Sequence, residues 1–104
     1  MIAFTPGPYP ASYLTVGATI TSQAVALPLG NGGSVRVINL AAADAMIAFG
    51  NSATVVTATG ADRGMVIRPN ADEILTVPLN ATHVAVVLGT GTGDVQFVAG
   101  ALNG

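Results

Sequence analysis

At 104 residues the chain has room for a single domain, since halving it would leave neither part enough core to fold alone. Charged residues make up 8% of it, where an average soluble domain carries roughly 25%; lysine is absent, and three arginines against five acids leave a formal net charge of -2. This balance excludes the basic field that supplies non-specific nucleic-acid affinity, and the lack of cysteine excludes disulfides, thiolate metal sites and thiol chemistry.

The opening residues, MIAFTPGPYPASYL, have neither a basic segment nor the continuous apolar stretch of a secretory signal. No run of about 18 apolar residues follows that would span a bilayer as a helix. The expectation is a soluble protein made in the cytoplasm, with no membrane contact. Its first 11 residues read as an extended arm, because Pro6, Pro8 and Pro10 each fix φ and remove an N–H donor. Ile2, Phe4 and Tyr9 would be costly to leave in water, so the arm should lie on its own sheet or on a neighbour. Residues 12–104 form the body.

Val, Ile and Thr supply 30 residues of the chain, and their β-branched side chains suit a pleated sheet better than the crowded turn of a helix. Turn-forming clusters (PLGNGG, FGNS, TGADRG, RPNAD, PLNA and GTGTGD) separate short apolar runs. Taken along the chain, the predicted strands are Ser12 to Val16, Ala18 to Leu27, Ser34 to Leu40, Ala45 to Phe49 and Ala53 to Thr59. They continue with Met65 to Ile67, Glu73 to Val77, Thr82 to Leu88 and Asp94 to Ala99. The alanine-rich Ala41 to Asp44 has helical propensity but is too short and too enclosed by β-rich sequence, so it reads as a connection. In THVAVVL both alternating sets are apolar, which predicts an interior strand or one facing a neighbouring subunit, whereas DVQFVAG buries Val95 and Phe97 and exposes Asp94 and Gln96. The fold class is all-β: a single-domain β-sandwich or jelly roll with an extended, proline-containing N-terminal arm.

No constellation for chemistry emerges. The one histidine, His83, sits in an apolar strand, where a hydrogen-bonded structural or interface role outweighs that of a catalytic base. Asp72 and Glu73 are adjacent and would point to opposite faces of a strand, so they read as solvated turn charges rather than an acid–base pair. Scattered acids and a single histidine make no metal cluster. Gly89, Gly91 and Gly93 lack phosphate-loop spacing, and a Walker loop needs a lysine this chain does not have. Asn80 to Thr82 matches a glycosylation sequon by pattern alone. Aromatics, at 5%, are a poor supply for stacking on sugars or bases. The reading is a non-enzyme without cofactor or metal.

The surface carries the positive signal. Lone β domains protect their open edges with lysine and other charges, and this chain has few to place. Something else must cover the edges, either copies of the chain as a dimer or trimer or a larger assembly. Arg36, Arg63 and Arg68 are the candidate charged anchors, with Asp44, His83 and the arm's Ile2, Phe4 and Tyr9 as further candidate contacts.

The segments SVRVINLAAADAMIAFGNSATVVTATG and VIRPNADEILTVPLNATHVAVVLGTGTGDVQFVAG, within residues 34–100, resemble small virion proteins of tailed bacteriophages, above all head decoration or cementing proteins. The pattern consists of a strand ending in Asn39, a strand ending in Phe49–Gly50, the turn Arg68–Asn70, the stretch THVAV, and a glycine-rich turn into the last strand. The resemblance implies a β-sandwich or jelly roll on the capsid exterior that binds the major capsid protein and reinforces the shell against internal DNA pressure. A tail, baseplate or head-fibre accessory and a carbohydrate-binding β module are the alternatives.

Overall fold

The computed structural model describes residues 3–27, 33–51, 64–78 and 80–103, with Ala3, Leu102 and Asn103 described by backbone alone. The expected strand at Ala53 to Thr59, and the candidates Ile2 and Arg63, lie outside these residues. Nine strands form among the described residues: β1 (Ala3–Pro6), β2 (Tyr13–Ala18), β3 (Gln23–Ala26), β4 (Ser34–Asn39), β5 (Ala45–Gly50), β6 (Met65–Ile67), β7 (Asp72–Thr76), β8 (His83–Leu88) and β9 (Gly93–Asn103). One sheet has the order β1-β9-β4-β7, with β2 also paired to β9; the other has the order β3-β8-β5-β6.

All pairings are antiparallel, and those among β2 to β9 follow one rule. β2 pairs with β9, β3 with β8, β4 with β7 and β5 with β6, as in a single long hairpin. Two further ladders, β4 with β9 and β5 with β8, fold that hairpin back on itself into two facing sheets. This is jelly-roll connectivity within a β-sandwich. Strand alternation dictates what lies between the sheets: Val16, Val35, Val37, Val95 and Phe97 from the first meet Ile47, Ile67, Val84, Val86 and Leu88 from the second. Full burial of each such side chain contributes about 1.5 to 3 kcal/mol. β8 lies between β3 and β5, and Ala85 and Val87, on its other face, are also buried. This matches its doubly apolar sequence.

Most strand ends shift by one or two residues, and two expected strands change more. The predicted run Ala18 to Leu27 is broken, because Ala18 closes β2 in one sheet and Gln23 opens β3 in the other. Thr19 makes the crossing: its hydroxyl accepts from Thr21 N (3.1 Å) and its carbonyl accepts from Leu88 N (2.8 Å). The last strand also runs past Ala99 to Asn103, because the N-terminal arm supplies a partner for its second half.

That arm lies on the chain's own sheet. β1 and β2 run along the same side of β9 as one interrupted edge strand, with Pro6 opposite Gly100 and Tyr13 opposite Val98. Between them residues 7–12 loop out, anchored at both ends to one residue: Gly7 N donates to Ala99 O (2.8 Å), and Ala99 N donates to Ser12 O (2.8 Å). The arm crosses closely over Gly100, where a Cβ would stand 2.7 Å from Phe4 Cζ and 3.0 Å from Pro6 Cα. Only glycine leaves room for that approach.

At one end of the sandwich the sheets are tied by Asn39, which is 0% exposed. Its Nδ2 donates to Ile67 O at the end of β6 (2.9 Å) and to Ala43 O in the β4–β5 connection (2.8 Å), while its Oδ1 accepts from Ala41 N (2.9 Å). Residues 40–44 form this connection without a helix, as predicted.

Candidate functional site

The outer face of the first sheet is determined by register. Cross-strand neighbours form two rows, Tyr13–Val98–Arg36–Ile74 and Thr15–Gln96–Ile38–Asp72, running through β2, β9, β4 and β7. Arg36 and Asp72 occupy diagonal positions in this grid, within reach of long side chains. Arg36 Nε donates to Asp72 Oδ2 (2.7 Å), and Nη2 contacts the same oxygen. Both side chains remain a little under half exposed, at 45% and 46%, so the pair is well formed yet open to solvent.

Around this pair the sheet face is recessed into a groove of about 350 Å³. Phe4 and Pro6 of β1 and Tyr13 of β2 form one wall, Ile74 and Asp72 of β7 the other, and Val98, Gln96, Arg36 and Ile38 the floor. Tyr9, in the looped-out segment and 79% exposed, meets Tyr13 edge-on with ring centroids 5.1 Å apart, a favourable aromatic geometry. Three of the chain's five Phe and Tyr residues therefore stand at this groove or its lip.

Of the candidates named from sequence, Phe4, Tyr9 and Arg36 converge here. The others do not. Asp44 lies at the loop end, where its backbone carbonyl accepts from Gly89 N (3.0 Å). Arg68 is exposed just beyond β6, and its carbonyl accepts from Ala71 N (3.1 Å) in a turn that holds Asn70 at φ 61°. His83 is half-buried at the far end of β8, with Nδ1 2.8 Å from Thr82 Oγ1. Asp72 was expected as a solvated turn charge; it instead opens β7 and is Arg36's ion-pair partner. Tyr13, Ile38, Ile74, Gln96 and Val98 were missed as site residues. Alternation places each on the outward face, but nothing local in the sequence aligns the four strands that carry them.

No group of three or more metal-ligating side chains occurs among the described residues, and no helix there is long and apolar enough to cross a membrane. Comparison with known proteins finds no family model that matches the chain and no curated protein or solved structure similar to it.

Proposed function

We propose that the protein is a structural virion component that docks on the outer surface of a phage shell through the major capsid protein and reinforces it. The observation that supports this reading is the chemistry of the sheet edges. Among the described residues the second sheet ends in β3 (QAVA) on one side and β6 (MVI) on the other, and neither strand has a charged residue. The β1/β2 edge is equally uncharged; only β7, with Asp72 and Glu73, has the charge that discourages edge-to-edge pairing. Uncharged edges favour strand-to-strand association with copies of the chain or with a shell subunit. Met65, 48% exposed on β6, and Arg68 just beyond it supply an apolar contact and a charged anchor at one such edge. The first sheet's groove is not needed for this docking.

Reinforcement then follows from mass action. A protein that binds the assembled shell and not its separated subunits stabilises the shell by its binding free energy, summed over copies. The test is co-sedimentation of the purified chain with mature phage shells, together with the temperature at which those shells rupture. Saturable binding with a raised rupture temperature is expected. A chain that stays monomeric and binds no shell refutes the reading, and binding confined to tails moves it to a tail or baseplate accessory.

A further inference from the structure

We propose that the groove on the outer face of the first sheet is a binding site for a neutral saccharide of one or two rings. The inference does not depend on shell docking, because it uses the outer face of the first sheet and leaves the uncharged β3 and β6 edges of the second free. Three observations carry it.

The first is charge. Arg36 and Asp72 share one ion pair on the groove surface and remain open to solvent. An anion drawn to the guanidinium would meet the carboxylate, and a cation would meet the reverse. A neutral ligand that carries a donor and an acceptor on adjacent atoms suits both, and vicinal hydroxyls have this character. Arginine has five N–H donors, of which this pair engages two, and Gln96 in the neighbouring strand adds an amide.

The second is the distribution of aromatic rings. The chain is poor in them, yet Phe4 and Tyr13 line this groove and Tyr9 extends its lip. Aromatic faces beside planar polar side chains present apolar and hydrogen-bonding surface together, as the C–H and O–H faces of a sugar ring require. The third is shape. The volume of about 350 Å³ falls at the small end of the range for small-molecule sites. A second copy of the same face would set recess against recess and leave a void where close packing is needed.

The test is a titration of ¹⁵N-labelled full-length protein with the neutral methyl glycosides of glucose, galactose, mannose and N-acetylglucosamine, and with their disaccharides, at millimolar concentration. At least one should produce saturable shifts confined to the amides of β9, β4 and β7 around Val98, Arg36 and Ile74 and to the Arg36 Nε–H. Tyr13→Ala and Gln96→Ala should each weaken that binding about tenfold, as loss of one stacking or hydrogen-bonding contact predicts, with thermal unfolding showing that both variants still fold. Asp72→Asn should lower affinity for the neutral sugar and raise it for a sulfated analogue, because the guanidinium loses its counter-charge. The proposal is overturned if no sugar moves these signals, if the shifts survive Tyr13→Ala, or if an extended peptide saturates the groove where sugars do not. Saturating sugar should leave shell co-sedimentation unchanged, so failure of either reading is seen separately.

Discussion

Replacing Asn39 with alanine tests the buried polar tie between the two sheets. The side chain makes three hydrogen bonds, to Ile67 O, Ala43 O and Ala41 N, from a position with no solvent access. Truncation removes bonds worth about 1 kcal/mol each and leaves buried backbone groups unpaired, at a penalty of about 1 to 3 kcal/mol per group where water cannot enter. Even the lower figure gives a loss of about 3 kcal/mol, a large share of the roughly 5 to 15 kcal/mol that stabilises an ordinary domain. With an unfolding entropy of about 2.1 cal/mol/K per residue, 3 kcal/mol lowers the Tm of a chain of 104 residues by about 14 °C. Urea unfolding and calorimetry read both quantities. Asn39→Asp should also destabilise, because a carboxylate cannot donate to two carbonyls. A loss below about 1 kcal/mol for Asn39→Ala would refute the reasoning, since it would mean the sheets are held at this end without the amide.

Arg36→Ala should cost no more than about 1 kcal/mol, because the ion pair is nearly half exposed and screened, and its small effect should shrink further at high salt. Gly100→Ala should drive β1 off β9, since the added Cβ would meet the Thr5 carbonyl, Phe4 and Pro6; hydrogen exchange at the Thr5 and Gly7 amides should accelerate while the β4–β9 ladder stays protected. Phe97→Ala, which empties the largest fully buried side chain, should lower stability by about 3 to 5 kcal/mol in urea unfolding. Ala26→Lys places a charge on an exposed position of the β3 edge and should abolish any dimer or trimer seen by light scattering, without loss of Tm.

Much of the secondary structure could be read from local pattern. Met65 to Ile67 forms a strand at the predicted bounds, and β4, β5 and β8 differ from expectation by a single residue at one end. In these segments β-branched alternation and turn chemistry act within a few residues, the range over which sequence patterns carry structural information. The break at Thr19 to Ser22 was hidden for the same reason: TVGATITSQAVAL keeps its β character throughout, and only the need to pass from one sheet to the other interrupts it. The extension of β9 through Gly100 was equally hidden. A glycine there looks like a strand end until the arm is seen to lie over it.

The site was less visible than the fold. Phe4, Tyr9 and Arg36 stood out by residue type, but the groove they share draws on five strands and spans the chain from Phe4 to Val98. Arg36 and Asp72 are 36 residues apart, and the pair exists because β4 and β7 align in one register. A slip of one residue would turn Asp72 to the opposite face and break it.

Side-chain type and a period of two are enough to imply an all-β chain, the inward and outward faces of its strands, a β8 that is apolar on both faces and a surface with little charge. Tertiary packing was needed to close the long hairpin as a jelly roll, to lay the arm on the chain's own sheet, and to bring an ion pair and three scarce aromatics to one groove. These features depend on which strands lie side by side and in what register, and that is settled by burying all the inward rows in one core at once.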